Sequence, residues 1–417
     1  MFKKIGLFLI VFIFTIACDN DDDMVAACNL VSNVSSNSIT SNSAILTWED
    51  DNSTSIYSIE YGVSGFMLGS GTTVSISETN LTLIGLNANT TYDVYVQTIC
   101  TADNVSMYTG VYSFTTNLPT AIPEFRPTLT ELNIYVGDPS NLQITPYGFE
   151  YDLHSKLFTD YATKQRFFIL PTGEKLAYDG DGLPVFPNNT IIVKTFYYNI
   201  DDRDPSLGQK IIETRLLIKI DDSWETGDYR WNDAQTEALL DPNGSTVPVS
   251  WIDSEGETNT VDYEIPTNTD CFTCHQASGS MKPIGPKMRN INFDFNGSNQ
   301  LQNLIDNNMI EGLTDPISVS LTPKWDDPTV SLDRRARAYL DVNCAHCHIQ
   351  GGSCEEQSTL RLGYEIPYEE SAIAERRYSI LTRIQNTLPN YGMPLIGTTI
   401  IHDEGIAVLI EYLNSLE

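Results

Sequence analysis

Two short stretches carry the densest chemistry in this 417-residue chain: "CFTCH" at 271–275 and "CAHCH" at 344–348. Each sets two thiols three residues apart and follows the second with an imidazole. On a helical turn, residues at that spacing share a face. Both thiols can therefore reach one partner, and the next side chain approaches it from the same side. C-x-x-C-H is the attachment spacing of a c-type haem, in which the thiols form thioethers to the vinyl groups and the histidine ligates iron. On this reading Cys271, Cys274, Cys344 and Cys347 bind the cofactor and His275 and His348 are the proximal ligands. The cofactors are then two haem c groups.

Zinc and structural disulfides compete with haem. A zinc site built from C-x-x-C pairs needs a second pair or an H-x-H knuckle, and 69 residues separating Cys274 from Cys344 is a long connection for that. Disulfides would use only the thiols. Both readings leave His275 and His348 idle, whereas haem uses all six residues. His346, inside the second motif, reads as a solvent-facing spacer, and Cys354 as a quiet thiol able to cross-link two molecules.

The elements that must position these groups fall into a leader and three regions. Residues 1–17, "MFKKIGLFLIVFIFTIA", have the basic start and short apolar run of a secretory signal. Cys18 follows directly, so the segment resembles a bacterial lipoprotein signal, with Cys18 as lipid anchor and the acidic residues 18–27 as a tether. No further stretch is apolar and long enough for a transmembrane helix, so membrane attachment rests on lipid alone. The resemblance implies the cell envelope of a Gram-negative bacterium, as an outer-membrane lipoprotein facing the periplasm or the surface.

Residues 28–117 alternate in short runs, "AILTW", "YSIEYG", "LTLIGL" and "TYDVYVQTIC", between Ser, Asn, Gly and Thr clusters. That pattern predicts an all-β sandwich with Leu46 and Trp48 on one strand face and Tyr92, Val94 and Val96 on another. Leu86, Thr90, Tyr92, Val94 and Val96, with "FTT" at 114–116, resemble the fibronectin type III signature; Ala88 replaces its proline. Cys28 and Cys100 lie near the start and on a late strand, and a disulfide between them fits an oxidising compartment.

A proline-marked joint leads to residues 121–262, where "RFFILP", "TIIVKTFYY" and "IIETRLLIKI" predict a mostly-β domain. Residues 263–417 read as mainly α. Ser331 is placed to cap a helix through "RRARAYLDVN", and Ile406, Leu409, Leu413 and Leu416 form one stripe of a terminal amphipathic helix.

The order C-x-x-C-H, then "MP" at 393–394, then a closing helix resembles class I cytochrome c. This resemblance implies that Met393 is the second iron's distal ligand. "PIGPKM" similarly resembles the cytochrome c Gly-Pro turn, which would make Gly285 and Pro286 the segment orienting His275. The first iron's sixth ligand stays open among Met281, Met288, Met309, His154 and His402. Over about 150–417, "LFTDYATKQRFFILPTGEK", "YRWNDAQTEA", "CFTCH", "IGPKMRNIN" and "RAYLDVNCAHCH" together resemble a family of exported di-haem c-type cytochromes.

The family implies electron transfer in or outside the cell envelope without a firm substrate, and a carrier rather than an enzyme. A di-haem peroxidase or oxidase with one open iron, and a surface adhesion protein, are the alternatives. Net charge −31 argues against nucleic acid and is compatible with a basic redox partner.

Overall fold

The computed structural model describes residues 27–52 and 56–416. The signal, Cys18 and all of the tether but Ala27 lie outside the described residues. The chain divides into two compact units, one ending at Pro119 and the other running from Thr120 to Glu417. No helix among the described residues is long and apolar enough to cross a membrane.

The first unit is a sandwich of two antiparallel sheets. Strands β1 (Ser32–Asn37), β2 (Ser43–Glu49) and β5 (Asn80–Ile84) make one sheet. Strands β3 (Ile56–Val63), β4 (Thr72–Ile76), β6 (Thr91–Thr101), β7 (Asn104–Tyr108) and β8 (Tyr112–Thr115) make the other. Period-two alternation buries Ala44, Leu46 and Trp48 from β2 against Tyr92, Val94 and Val96 from β6. The backbone N–H of Asn87 donates to Tyr92 Oη at 2.9 Å, pinning the chain at the corner where it enters β6. Cys28 and Cys100 are disulfide-bonded, with their Cα atoms 5.8 Å apart.

The second unit is organised on a six-stranded antiparallel sheet. Strands β9 (Gly148–Glu150) and β10 (Thr163–Ile169) lie at one end; β11 (Leu176–Ala177) lies outside it. The sheet continues through β12 (Ile191–Asn199), β13 (Gln209–Ile220), β14 (Ser223–Trp231) and β15 (Ala238–Leu240). Both faces are covered, and the sequence shows why. Phe167, Val193 and Leu216 point to one core, while their neighbours Phe168, Ile192 and Leu217 point to another. A hairpin of β16 (Ser245–Ile252) and β17 (Thr258–Ile265) packs its Val249, Trp251 and Tyr263 with Phe196 of β12.

Beyond residue 263 come helices α1 (Asn268–His275), α2 (Met288–Ile291), α3 (Gln300–Asp306), α4 (Leu332–Asn343), α5 (Ile373–Ile384) and α6 (Asp403–Ser415). Irregular connections link them, as expected from the sequence. The boundary expected at 262, however, does not separate two cores. Met288, Ile291, Leu301 and Leu304 from α2 and α3 pack directly on Phe168, Ile192 and Leu217 of the sheet. In addition, β11 pairs in parallel with Ile310–Glu311. Residues 121–262 and 263–417 therefore form one unit, because α2 and α3 supply part of the cover for the sheet's second apolar face.

Helices α4, α5 and α6 form a separate cluster around Leu340, Ile373, Ile380, Leu409 and Leu413. The predicted stripe of α6 is buried at Ile406, Leu409 and Leu413, with Leu416 at its margin. Ser331 does stand at the start of α4, but its side chain makes no capping bond.

Candidate functional site

The first cysteine motif occupies most of α1. A reciprocal capping box fixes where that helix begins: Asp270 N–H donates to Thr267 Oγ1 at 3.2 Å, and Thr267 N–H donates to Asp270 Oδ2 at 3.0 Å. Cys271 is buried, its Sγ 3.6 Å from Asp228 Oδ2 on β14. Burial, with the Asp228 carboxylate beside it, pushes its thiol up to about 12.

The second motif sits on the turn that continues α4. Cys344 N–H donates to Leu340 O at 2.9 Å, and His348 N–H donates to Cys344 O at 3.1 Å, so helical geometry runs through the motif. Burial holds the Cys344 thiol up at about 12.

The two motifs meet. Sγ of Cys274, Sγ of Cys347 and a ring nitrogen of His346 lie within 4.8 Å of one another. A hydrogen bond from Cys274 and another from His346 lower the Cys347 thiol, while Cys274, as donor to Cys347, is raised. The segments that follow are also joined: Ala277 bridges Gly352, and Ser278 N–H donates to Gly351 O at 2.8 Å. Glycine is required at 352, where a Cβ would overlap the Cys347 carbonyl oxygen. The long sequence separation that argued against a shared metal site is thus no spatial barrier. His346 is not a solvent-facing spacer either; it is half-buried, and its Nδ1 is buried without a hydrogen-bond partner among the described residues.

Two cavities flank the motifs, and Cys274 and His346 border both. One of about 290 Å³ is lined by Cys344, Cys347, His348, Cys354, Ile380 and Met393, among others. His348 and Met393, far apart in sequence, therefore border one space. Cys354 also borders it, and burial raises its thiol. Burial lowers the pKa of His348, and its Nδ1 lacks a hydrogen-bond partner among the described residues.

The other cavity, of about 280 Å³, is lined by Leu153, Lys194, Cys274, His275, Ile284 and His346, among others. His275 Nδ1 donates to Lys282 O at 2.7 Å, which leaves Nε2 as its free lone pair. The orienting carbonyl is therefore that of Lys282, just before Pro283, and not the expected Gly285–Pro286 turn. Gly285 instead adopts φ +116° against Leu153. Desolvation holds His275 down at about 4, so the imidazole is neutral at pH 7 and able to ligate a metal.

None of the sixth-ligand candidates lines this cavity. Met288 is fully buried in the core between sheet and helices, where Met281 and Met309 pack at the edge. His154 Nδ1 bonds Thr322 O at 2.7 Å. His402 stacks on Phe158 with ring centroids 4.1 Å apart and shares a 3.0 Å hydrogen bond with Tyr339 Oη.

A row of charges on the sheet escaped the sequence reading. Arg166, Lys194, Arg215 and Asp228 are directly opposite one another on β10, β12, β13 and β14. The signal was available: "RFFI", "VKTF" and "TRLL" each place one cation inside an apolar strand. Only the register aligns them.

Comparison with known proteins bears on the first unit. The family model of the fibronectin type III domain matches residues 30–109, and this segment is a fibronectin type III domain. No curated protein matches the chain. A computationally redesigned β-sandwich protein is 26% identical, covering 21% of this chain and 95% of its own, at a TM-score of 0.20. The fibronectin type III domain of human contactin 1 is 17% identical over 21% of this chain and 77% of its own, also at 0.20. The FN5 domain of Drosophila Lar is 16% identical over 22% and 98%, at 0.19.

Proposed function

We propose that residues 120–417 form an electron carrier holding two covalent haem c groups, displayed in the cell envelope behind a lipid anchor on Cys18 and a fibronectin type III spacer. The observation that carries this reading is the meeting of the two C-x-x-C-H motifs at Cys274 and Cys347, with two cavities flanking them. These cavities fall just below the roughly 300–1,000 Å³ typical of cofactor sites. The second motif's is bordered by Cys344, Cys347, His348 and the thioether sulfur of Met393; the first motif's is bordered by Cys274 and His275, with Cys271 on an adjoining cavity of about 90 Å³.

Haem c supplies a reversible one-electron couple at iron, tuned by its axial ligands and surroundings. The chain's own residues do the rest. Cys271, Cys274, Cys344 and Cys347 fasten the groups. His275 and His348 would ligate, and the Lys282 carbonyl fixes the His275 ring by accepting a hydrogen bond from its Nδ1–H. Met393 would offer its sulfur to the second iron, and the proximity of Cys274 to Cys347 would keep the two attachment points close. The net charge of −31 favours a basic redox partner, with association that weakens as salt rises.

Purified protein should show a dithionite-reducible haem spectrum and a haem c pyridine haemochrome; colourless protein from a host that matures c-type cytochromes would end this reading. One observation favours another metal. Cys274, His346 and Cys347 offer three clustered donors, one short of a structural zinc site. Stoichiometric zinc without haem is the outcome that would establish it. A di-haem peroxidase or oxidase draws on the lack of methionine around the His275 cavity, and requires a high-spin ferric signal with peroxide turnover. On an adhesion reading, deleting residues 28–117 abolishes partner binding; on ours it leaves haem reduction unchanged.

A further inference from the structure

Opposite α1, the central sheet carries cations where an apolar face is the rule. Arg166, Lys194 and Arg215 stand in register on three adjacent strands, on the same face as Phe168, Ile192 and Leu217. Taking cations out of water is costly unless each finds a counter-charge, so their partners can be counted.

Arg215 is paired twice over with Glu213, Nε–Oε2 at 2.9 Å and Nη2–Oε1 at 2.5 Å. Lys287 and Arg289, which also border the His275 cavity, are paired with Asp341, and Arg289 with Glu365 besides. Two cations stand apart. Arg166 is 3% exposed and gives one nitrogen, Nη1, to Asp152 at 2.9 Å; its Nε and Nη2 are buried with no hydrogen-bond partner among the described residues. Asp152 is shared with Lys156. Lys194 makes no hydrogen bond or ion pair among the described residues, and its Nζ lies 5.0 Å from the Phe196 ring centroid. Both border a small cavity of about 90 Å³ together with Cys271, Cys274 and His275, and Lys194 borders the larger His275 cavity as well.

The row also has a direction. It begins at Asp228, beside the Cys271 thiol, and reaches Arg166 three strands away, about 14 Å at about 4.8 Å per strand. A haem fastened through its vinyl groups carries two propionates on the opposite edge of the macrocycle. Its two carboxylates need cationic partners, and Arg166, paired through one nitrogen only, and Lys194 are two cations bordering the space beside this motif.

We propose that Arg166 and Lys194 form the carboxylate cradle for the propionates of the first haem. The proposal rests on the haem reading above and assigns the two residues a positioning role: they fix and neutralise the carboxylates, and so stabilise the reduced iron. The shared chemistry is carboxylate or oxyanion recognition, so a free anion is the competing occupant.

The test uses the holoprotein with Arg166→Gln, Lys194→Gln and the double variant, and the exposed Lys324→Gln as control. Two readouts are followed: the midpoint potential of each haem, and the propionate-bending bands in resonance Raman spectra. Expected are a lower potential for the first haem, additive in the double variant, an unchanged second haem, a shifted propionate band, and recovery with Arg166→Lys and Lys194→Arg. Haem-loaded variants with both potentials and all propionate bands unmoved would overturn the cradle while leaving the carrier reading intact; absence of haem from the wild type is the separate failure of that reading. Inorganic phosphate provides the other arm. If phosphate perturbs the wild-type spectrum, and this response is lost in the variants while their propionate bands stay put, the row serves a free anion and the proposal falls.

Discussion

The two C-x-x-C-H motifs share a spacing but not a setting. The first lies in a helix begun by a capping box, its histidine held by a backbone carbonyl, its cavity lined by Lys194 of the sheet and, among the described residues, by no methionine. The second lies on the turn ending α4, its histidine without such a carbonyl, its cavity lined by Met393, Leu340, Ile380 and Ile384. Cations border both cavities, Lys194 the first and Arg376 and Arg383 the second, so the sulfur of Met393 is what sets the second apart. The comparison teaches that one motif spacing can sit in two different surroundings; on the proposed haem reading, those surroundings would differentiate the two centres.

The largest effect expected is loss of one centre at a time. Cys344→Ala with Cys347→Ala should halve the haem content and remove the signals of the second site only; Cys271→Ala with Cys274→Ala should do the converse, both read by haemochrome against protein concentration. Next comes ligand replacement. Met393→Ala should leave both haems attached yet abolish the sulfur-to-iron charge-transfer band and lower the second potential. A band that survives would place the sulfur elsewhere and dissolve the contrast between the sites.

A smaller effect separates the motifs by stability. Thr267→Ala removes the cap of α1 and should cost about 1 kcal/mol, seen as faster hydrogen exchange across α1 with α4 unchanged. The smallest is a pH effect on the second motif's side. Burial first, against the pull of Glu404, holds His402 down at about 4 where it stacks beside Tyr339 of α4. Between its unperturbed pKa of about 6.5 and about 4, the unfolded chain binds a proton that the folded chain refuses. Stability from this group is therefore full above that range and declines as pH falls through it. Urea midpoints of the wild type minus those of His402→Gln should shrink from pH 7 to pH 4; a difference independent of pH would contradict this.

Much of this contrast was legible in the residues, though unevenly. Alternation marked the sandwich strands, because Leu46 and Trp48 or Tyr92 and Val94 must face one core. The α6 stripe and both cysteine motifs could likewise be read directly, being local patterns. Three features could not. The contact of Cys274 with Cys347 depends on Ala277 bridging Gly352, a tertiary pairing with no local signature. The Lys282 carbonyl replaces the expected Gly285–Pro286 because turn residues fix the bend and not which carbonyl meets a ring. Arg166 and Lys194 each looked like isolated polar substitutions in apolar strands until the register set them side by side. The domain boundary at 262 failed for a related reason: alternation shows that a strand has two faces, not what covers the second.

The central claim is that sulfur fastens a haem at each motif. Intact-mass and peptide mass spectrometry of mature protein, made in a host that matures c-type cytochromes, tests it most directly. The account predicts added mass for two haem groups, one on the peptide holding Cys271 and Cys274 and one on that holding Cys344 and Cys347. Unmodified peptides, with those four cysteines free, paired with each other or bound to zinc, would contradict it.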